Sequence, residues 1–187
     1  MAPAEHLDAG IVTLRRWSPD WALLLDAAIN ESKAELRRFM PWATETHSLA
    51  DTEAYLERSV ELWGTGEAWN YAMFLAADDD DHNDDDLGRV VGSCGLMSRM
   101  GPGVLEIGYW VHTAMAGRGI ATAVASTLAA EGLLVPGIER VAIRHDVANV
   151  ASGRVAAKAG FTQVGQLAEG EGGVGQTGPE LVWERTV

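Results

Sequence analysis

The chain has 187 residues, 47% of them hydrophobic, with seven Trp, one Cys and a formal net charge of −13. That length suits one domain spanning 1–187 that buries about 70% of the surface its unfolded chain exposes, and a lone Cys94 excludes an internal disulfide. With 14 Lys and Arg against 27 Asp and Glu a nucleic-acid partner is not expected, nor is a membrane one, since no apolar run approaches the ~18 residues of a span.

Taken in chain order, Met1-Ala-Pro-Ala-Glu-His-Leu-Asp8 has neither the basic flank nor the apolar stretch of a secretion signal, which predicts a cytoplasmic protein. A strand is expected over 11–16. A helix follows over 19–30, with Ser18 as its cap and Pro19 at its first position, then a second over 31–39. Residues 51–63 carry Ala54, Tyr55, Leu56, Val60, Leu62 and Trp63 at helical spacing behind the start signals Ser48 and Asp51. Strand-like runs at 69–76 and 89–97 flank residues 78–86, which hold seven Asp with His82 and Asn83 among them. Without those seven the net charge is −6, so more than half the imbalance lies in a solvated, self-repelling hairpin loop. The alternating acids, central Gly and terminal Glu of a calcium loop are absent there, and no metal site is expected.

Residues 105–121, Leu105-Glu-Ile-Gly-Tyr-Trp-Val-His-Thr-Ala-Met-Ala-Gly-Arg-Gly-Ile-Ala121, are the most informative. A strand over 104–111 runs into a glycine-bearing turn that opens a helix over 118–132. The first N–H groups of that helix lack intrahelical partners and converge where the dipole favours an anion. Gly117 and Gly119 let a phosphate approach the backbone, and Arg118 adds a cation. The kinase-type loop Gly-x4-Gly-Lys-Ser/Thr and the dinucleotide fingerprint are both missing. The rest of the chain reads as a strand over 140–145, a helix over 151–159, a strand over 161–166, a Gly-rich loop over 170–178 and a last strand over 180–185. Consecutive hairpins ahead of a βαβ-like unit argue for one mixed sheet with helices on both faces.

A second motif, Asn149-Val-Ala-Ser-Gly-Arg-Val-Ala-Ala-Lys-Ala-Gly-Phe161, follows at the right spacing. Together the two motifs resemble the GNAT-superfamily acyltransferases. The pyrophosphate loop of that superfamily, Gln/Arg-x-x-Gly-x-Gly/Ala, matches Ala116-Gly-Arg-Gly-Ile-Ala121, and its Asn…Lys-x-Gly-Phe helix matches 149–161. The run Glu106-Ile-Gly-Tyr-Trp-Val111, with Leu14-Arg-Arg-Trp17 and Leu36-Arg-Arg-Phe-Met-Pro-Trp42, is similar to one branch: bacterial acetyltransferases of the N-terminal Ala or Ser of ribosomal proteins, and related small-amine acetyltransferases. The resemblance spans about 11–183. It implies a single mixed, mostly antiparallel twisted sheet of about seven strands.

It also implies acetyl-CoA as cosubstrate and a primary amine as acceptor. The N-terminal amine of a ribosomal or other protein is the first choice; a polyamine, aminoglycoside or amino acid is the alternative, and a non-catalytic CoA-binding module is another. A homodimer is a further expectation. Acetyl-CoA is expected on Ala116, Gly117, Arg118, Gly119, Ile120 and Ala121, with Asn149 and Ser152 along its arm and the N–H groups near Val111 and Thr113 on the acyl carbonyl. Glu35, Phe39, Met40 and Trp42 are the acceptor-site candidates. Two positions depart from the family: Ala116 stands where Gln or Arg is usual, and Ala156 where many members carry the Tyr that protonates the thiolate. Ser152 is the expected proton donor in its place. Glu106 is the expected base, its carboxyl pKa raised by desolvation beside Tyr109 and Trp110.

Overall fold

Strands outnumber helices along this chain, so most neighbours meet through short connections and pair antiparallel. The structure, a computed structural model, describes residues 2–75, 88–167 and 178–186. Among these the elements run β1 (His6–Asp8), β2 (Val12–Arg16), α1 (Ala22–Leu36), α2 (Leu49–Thr65), β3 (Ala68–Leu75), β4 (Val90–Met97), β5 (Val104–Val111), α3 (Ile120–Gly132), β6 (Arg140–Asp146), α4 (Val150–Lys158), β7 (Thr162–Leu167) and β8 (Glu180–Thr186). One eight-stranded sheet results, in the order β1-β2-β3-β4-β5-β6-β8-β7. Only β5 and β6 run parallel, because α3 carries the chain back across the sheet between them.

The mixed, mostly antiparallel sheet is as expected, with eight strands rather than about seven. The extra one is β1, whose three residues pair His6 with Arg15 and Asp8 with Thr13 and are too few to show a period of two. The two helices expected over 19–30 and 31–39 are one. A 3-10 turn at Pro19–Trp21 leads into α1, which passes Asn30 and Glu31 unbroken. No Gly or Pro interrupts it, and Leu25, Ala28, Ile29, Ser32 and Leu36 keep one buried stripe. In α2, Ser48 and Asp51 form a reciprocal capping box, and Gly66 at φ 77° ends the helix. The Asp-rich segment 78–86 and the Gly-rich loop 170–177 lie outside the described residues.

The core has two layers. Alternation along β3 sends Tyr71 and Met73 toward α3, with Val124 and Leu128, and Ala72 and Phe74 toward α1, with Leu25 and Ile29. Both faces of the central strands are thus covered, which rigidifies β4 and β5 beneath the site. Among the described residues, no helix is long and apolar enough to cross a membrane.

Candidate active site

The site begins where the sheet comes apart. Pairing of β5 with β6 runs through Val104↔Arg140, Leu105↔Val141 and Glu106↔Ala142 and stops there, although β5 continues to Val111 and β6 to Asp146. Each strand keeps its outer neighbour to its end: β5 pairs Val111 with Gly92 on β4, and β6 pairs Asp146 with Glu180 on β8. Past Glu106 the two strands therefore diverge and present inner edges to each other. His112 N donates to Val91 O at 2.8 Å, so by ladder alternation the N–H groups of Tyr109 and Val111 face the gap. The gap opens into a cavity of about 1330 Å³. Ordinary small-molecule pockets hold roughly 300–1,000 Å³, so this one has room for two reactants.

At one end lies the turn into α3. Gly117 and Gly119 have φ of 78° and 84°, a left-handed backbone that side chains resist. A Cβ at Gly117 would meet nothing within 4 Å, and one at Gly119 only Ile11 Cδ1 at 3.8 Å; backbone conformation, not space, demands glycine. Ala116, Gly117, Gly119, Ile120 and Ala121 line the cavity, as do Val111, Asn149 and Ser152. Arg118 and Thr113 are not among the lining residues, and Arg118 stands exposed on the turn. The role expected of Thr113 is overturned: its N–H donates to the buried Ser32 Oγ at 3.2 Å and is not free to hold an acyl oxygen.

Across the gap, Asn149 caps α4, its Oδ1 accepting from Ser152 N at 3.2 Å. Ser152 Oγ lies 2.9 Å from the Tyr109 hydroxyl. Burial pushes that phenol up to about 12 against the opposing hydrogen bond from Ser152, so it stays protonated. This hydroxyl pair joins β5 to α4. Sequence reading missed Tyr109, whose partner lies 43 positions away, and saw in it only a neighbour of Glu106. Ala156 is fully buried, so the tyrosine other members carry there would have to displace core.

Glu106 sits at the vertex of the split and is 3% exposed. Arg99 donates to it from Nε at 2.6 Å and Nη2 at 2.7 Å, and Arg144 Nη2 at 3.0 Å. Arg144 extends its other arm to Glu180 Oε2 at 3.0 Å. Burial pushes the Glu106 carboxyl up, but hydrogen bonds and charge from Arg99, then from Arg144, outweigh it and hold the carboxyl below the ordinary range. The raised pKa expected from sequence is therefore corrected in sign. Nothing near Glu106 in sequence announces two arginines, one from the loop after β4 and one from β6.

Glu35, Phe39, Met40 and Trp42 all line the same cavity. Glu35 is exposed on α1 with Arg38 Nη1 at 3.3 Å, and the Trp42 ring stands 6.4 Å from that of Trp110. His145 spends both nitrogens on structure: Nδ1 donates to Asp146 O at 2.8 Å and Nε2 accepts from Trp183 Nε1 at 3.0 Å. His112 is buried against Glu31 and Arg89 and does not line the cavity.

Comparison with known proteins adds three findings. The family described as "Acetyltransferase (GNAT) domain" matches residues 12–162. No curated protein matches the sequence. Among solved structures, the microcin C7 self-immunity acetyltransferase MccE, in complex with acetyl-CoA and AMP, superposes with a TM-score of 0.82 at 21% identity, covering 95% of this chain and 93% of its own. The ribosomal L7/L12 alpha-N-protein acetyltransferase RimL, in complex with coenzyme A, gives 0.84 at 22% identity, covering 98% of each chain. An acetyltransferase from Salmonella typhimurium that modifies the N-terminal serine of 50S ribosomal subunit protein L7/L12 gives 0.80 at 21%, covering 98% of this chain and 99% of its own. At these identities the likeness is one of fold.

Proposed function

Since this chain belongs to the acetyltransferase (GNAT) domain family, we propose that it moves an acetyl group from acetyl-CoA to a primary amine, and that the acceptor is the N-terminal amine of a protein or peptide. The observation that carries this reading is the parting of β5 and β6 beyond Glu106 and Ala142, beside the glycine turn that opens α3. The fit to acetyl-CoA rests on this chain's own backbone. The N–H groups from Gly117 to Ala121 suit a pyrophosphate, and the inner-edge N–H groups of Tyr109 and Val111 suit the amide-bearing arm and the acyl oxygen. Bound there, acetyl-CoA supplies an activated thioester.

The protein's residues then have separate tasks. Ser152, backed by the protonated Tyr109, donates the proton that the departing sulfur needs. Glu106 stays charged and fixes Arg99 and Arg144 at the vertex; it orients the site rather than taking the amine's proton. A peptide acceptor is supported by the aromatic and apolar mouth formed by Phe39, Met40 and Trp42 and by the mixed charges beside it. The alternative of a non-catalytic CoA-binding module, suggested by Ala116 and Ala156, is disfavoured by the Tyr109–Ser152 hydroxyl pair, which restores a proton donor from the opposite wall.

The test is release of free thiol from acetyl-CoA in the presence of peptides beginning with Ala, Ser or Met, beside spermidine, an aminoglycoside and free amino acids. Fastest turnover with the Ala or Ser peptides is expected. Turnover confined to spermidine or another small amine would assign a small-molecule acceptor, and binding of acetyl-CoA without turnover would leave the regulatory module.

A further inference from the structure

An acceptor ammonium must lose a proton before its nitrogen can attack, and the group at the vertex is poorly suited to take it. Glu106 accepts hydrogen bonds from two guanidinium groups. An N-terminal ammonium titrates near 8, an ordinary carboxylate about three to four units lower and an imidazole within about two units. One imidazole on the acceptor side answers the need. His47, half-buried in the loop between α1 and α2, lines the cavity with its ring edge-on to Trp42 at 5.9 Å.

The surroundings of His47 select one tautomer. Its Nε2 lies 2.9 Å from Thr52 Oγ1. Thr52 is fully buried, and its hydroxyl has one proton to give. The acceptors within reach are Asp26 Oδ1 at 3.3 Å and Ser48 O at 3.5 Å, neither of which can donate. The hydroxyl therefore donates onward and accepts from His47 Nε2–H. Asp26 is itself fixed, with Asn30 Nδ2 donating to its other oxygen at 2.8 Å. With Nε2 protonated and engaged, Nδ1 keeps its lone pair and is the ring nitrogen left for the cavity.

We propose that His47 is the general base of the acceptor site and that Thr52 and Asp26 are its positioning residues. The proposal rests on the acetyltransferase reading above. The proton leaves the acceptor ammonium for Nδ1, and the electron pair freed on nitrogen forms the bond to the acyl carbon. The carbon–sulfur bond breaks, the sulfur takes its proton from Ser152, and the second proton, which the nitrogen sheds as it becomes an amide, returns through water to the Ser152 oxygen, so that one proton is released overall. The imidazolium returns its proton to solvent through the open mouth. The charged groups that the packed elements turn toward the ring are of both signs. From α1, Asp26 reaches it through Thr52, and Lys33 Nζ lies 3.5 Å from the His47 carbonyl oxygen. From α2, Asp51 adds a negative charge, and within the loop Glu45 is paired with Arg37.

The experiment is the pH dependence of kcat with acetyl-CoA and two acceptors of different basicity, an Ala-terminated peptide and spermidine. A limb arising from the acceptor moves with the acceptor; the limb assigned to His47 stays in place. His47→Gln is expected to lower kcat at least tenfold near neutral pH and to remove the fixed limb, with acetyl-CoA affinity within about twofold of wild type by calorimetry, a small change on the tenfold scale of 1.4 kcal/mol. Thr52→Val keeps the volume but loses the hydroxyl; it is expected to shift the fixed limb. In nitrogen-15 spectra of the histidine side chains it is also expected to turn the single Nε2–H form of His47 into a mixture. A His47→Gln enzyme with wild-type rates and limb, or a wild-type His47 protonated on Nδ1, would overturn the proposal while leaving the acetyltransferase reading intact. A wild type that releases no thiol with any amine would overturn both.

Discussion

Glu106 binds two arginines and so makes acid stability a readout of the site. Its folded-state pKa is depressed, so the carboxylate contributes stability that is fully present above the ordinary glutamate range and is lost as the pH falls through the folded value. Wild-type Tm should therefore drop more than that of Glu106→Gln between about pH 5 and about pH 3. At neutral pH the same variant should be destabilised by about 3 kcal/mol, since it leaves Arg144 buried with half its pairing; thermal melts at both pH values check the two claims together. The hydroxyl pair gives a second expectation. Ser152→Ala should lower kcat about tenfold, at the weak end of general-acid effects because a thiolate leaves readily, and Tyr109→Phe should lower it less, by about threefold, because Ser152 can still donate. A larger loss in Tyr109→Phe than in Ser152→Ala would reverse their roles. At this scale a motif that fixes spacing was enough to gather residues at one cavity, since Gly117, Gly119, Asn149 and Ser152 all line it. The sequence was silent where a partner comes from another strand or loop. Arg99 and Arg144 reverse the sign expected for Glu106, Ser32 occupies the N–H of Thr113, and Tyr109 reaches Ser152 only because the sheet splits.

Among the elements, the turn into α3 carries the sharpest expectation. Both its glycines have positive φ, so Gly119→Val imposes backbone strain where N–H groups must converge. Acetyl-CoA affinity should fall at least tenfold, about 1.4 kcal/mol, as measured by calorimetry on the folded variant; Arg118→Ala should cost less, because that side chain is exposed outside the cavity lining. Unchanged affinity in Gly119→Val would remove the phosphate from this loop. Period-two and helical patterns located the elements around the site well, and β5 spans the residues anticipated for it, 104–111. They failed at the N-terminal end for physical reasons. α1 has no breaker at Asn30, so a single helix continues on its buried stripe, and β1 owes its three residues entirely to pairing with β2. The split between β5 and β6 left no mark in β5, which remains apolar to Val111, and in β6 the polar end Arg144-His145-Asp146 does not by itself reveal which neighbour the strand loses.

On the scale of the whole molecule, a net charge of −13 creates a field that draws cationic acceptors inward and weakens with salt. Raising ionic strength tenfold should therefore raise KM for a cationic acceptor severalfold while changing kcat little, a split that steady-state assays with a peptide amine would show. Replacing residues 78–86 with a short Asn-Gly turn between β3 and β4 should leave Tm within a few degrees and kcat within about threefold, and should reduce that salt dependence; a collapse of activity with every acceptor would place the segment in the site. The parted strands have a consequence for the lifetime of the molecule itself. Among the described residues the sheet consists of two plates, β1 to β5 and β6-β8-β7, riveted by three residue pairs and by the packing of α3, which lies on β4 and β5, against α4, which lies on β6 and β7. An acyl donor lying along both inner edges would splice the plates and bind only the folded chain. At a hundred times its Kd it would add about 2.7 kcal/mol of stability. Slow thermal inactivation and resistance to proteolysis would then track the supply of acetyl donor, making a starved population of this enzyme the first to be cleared.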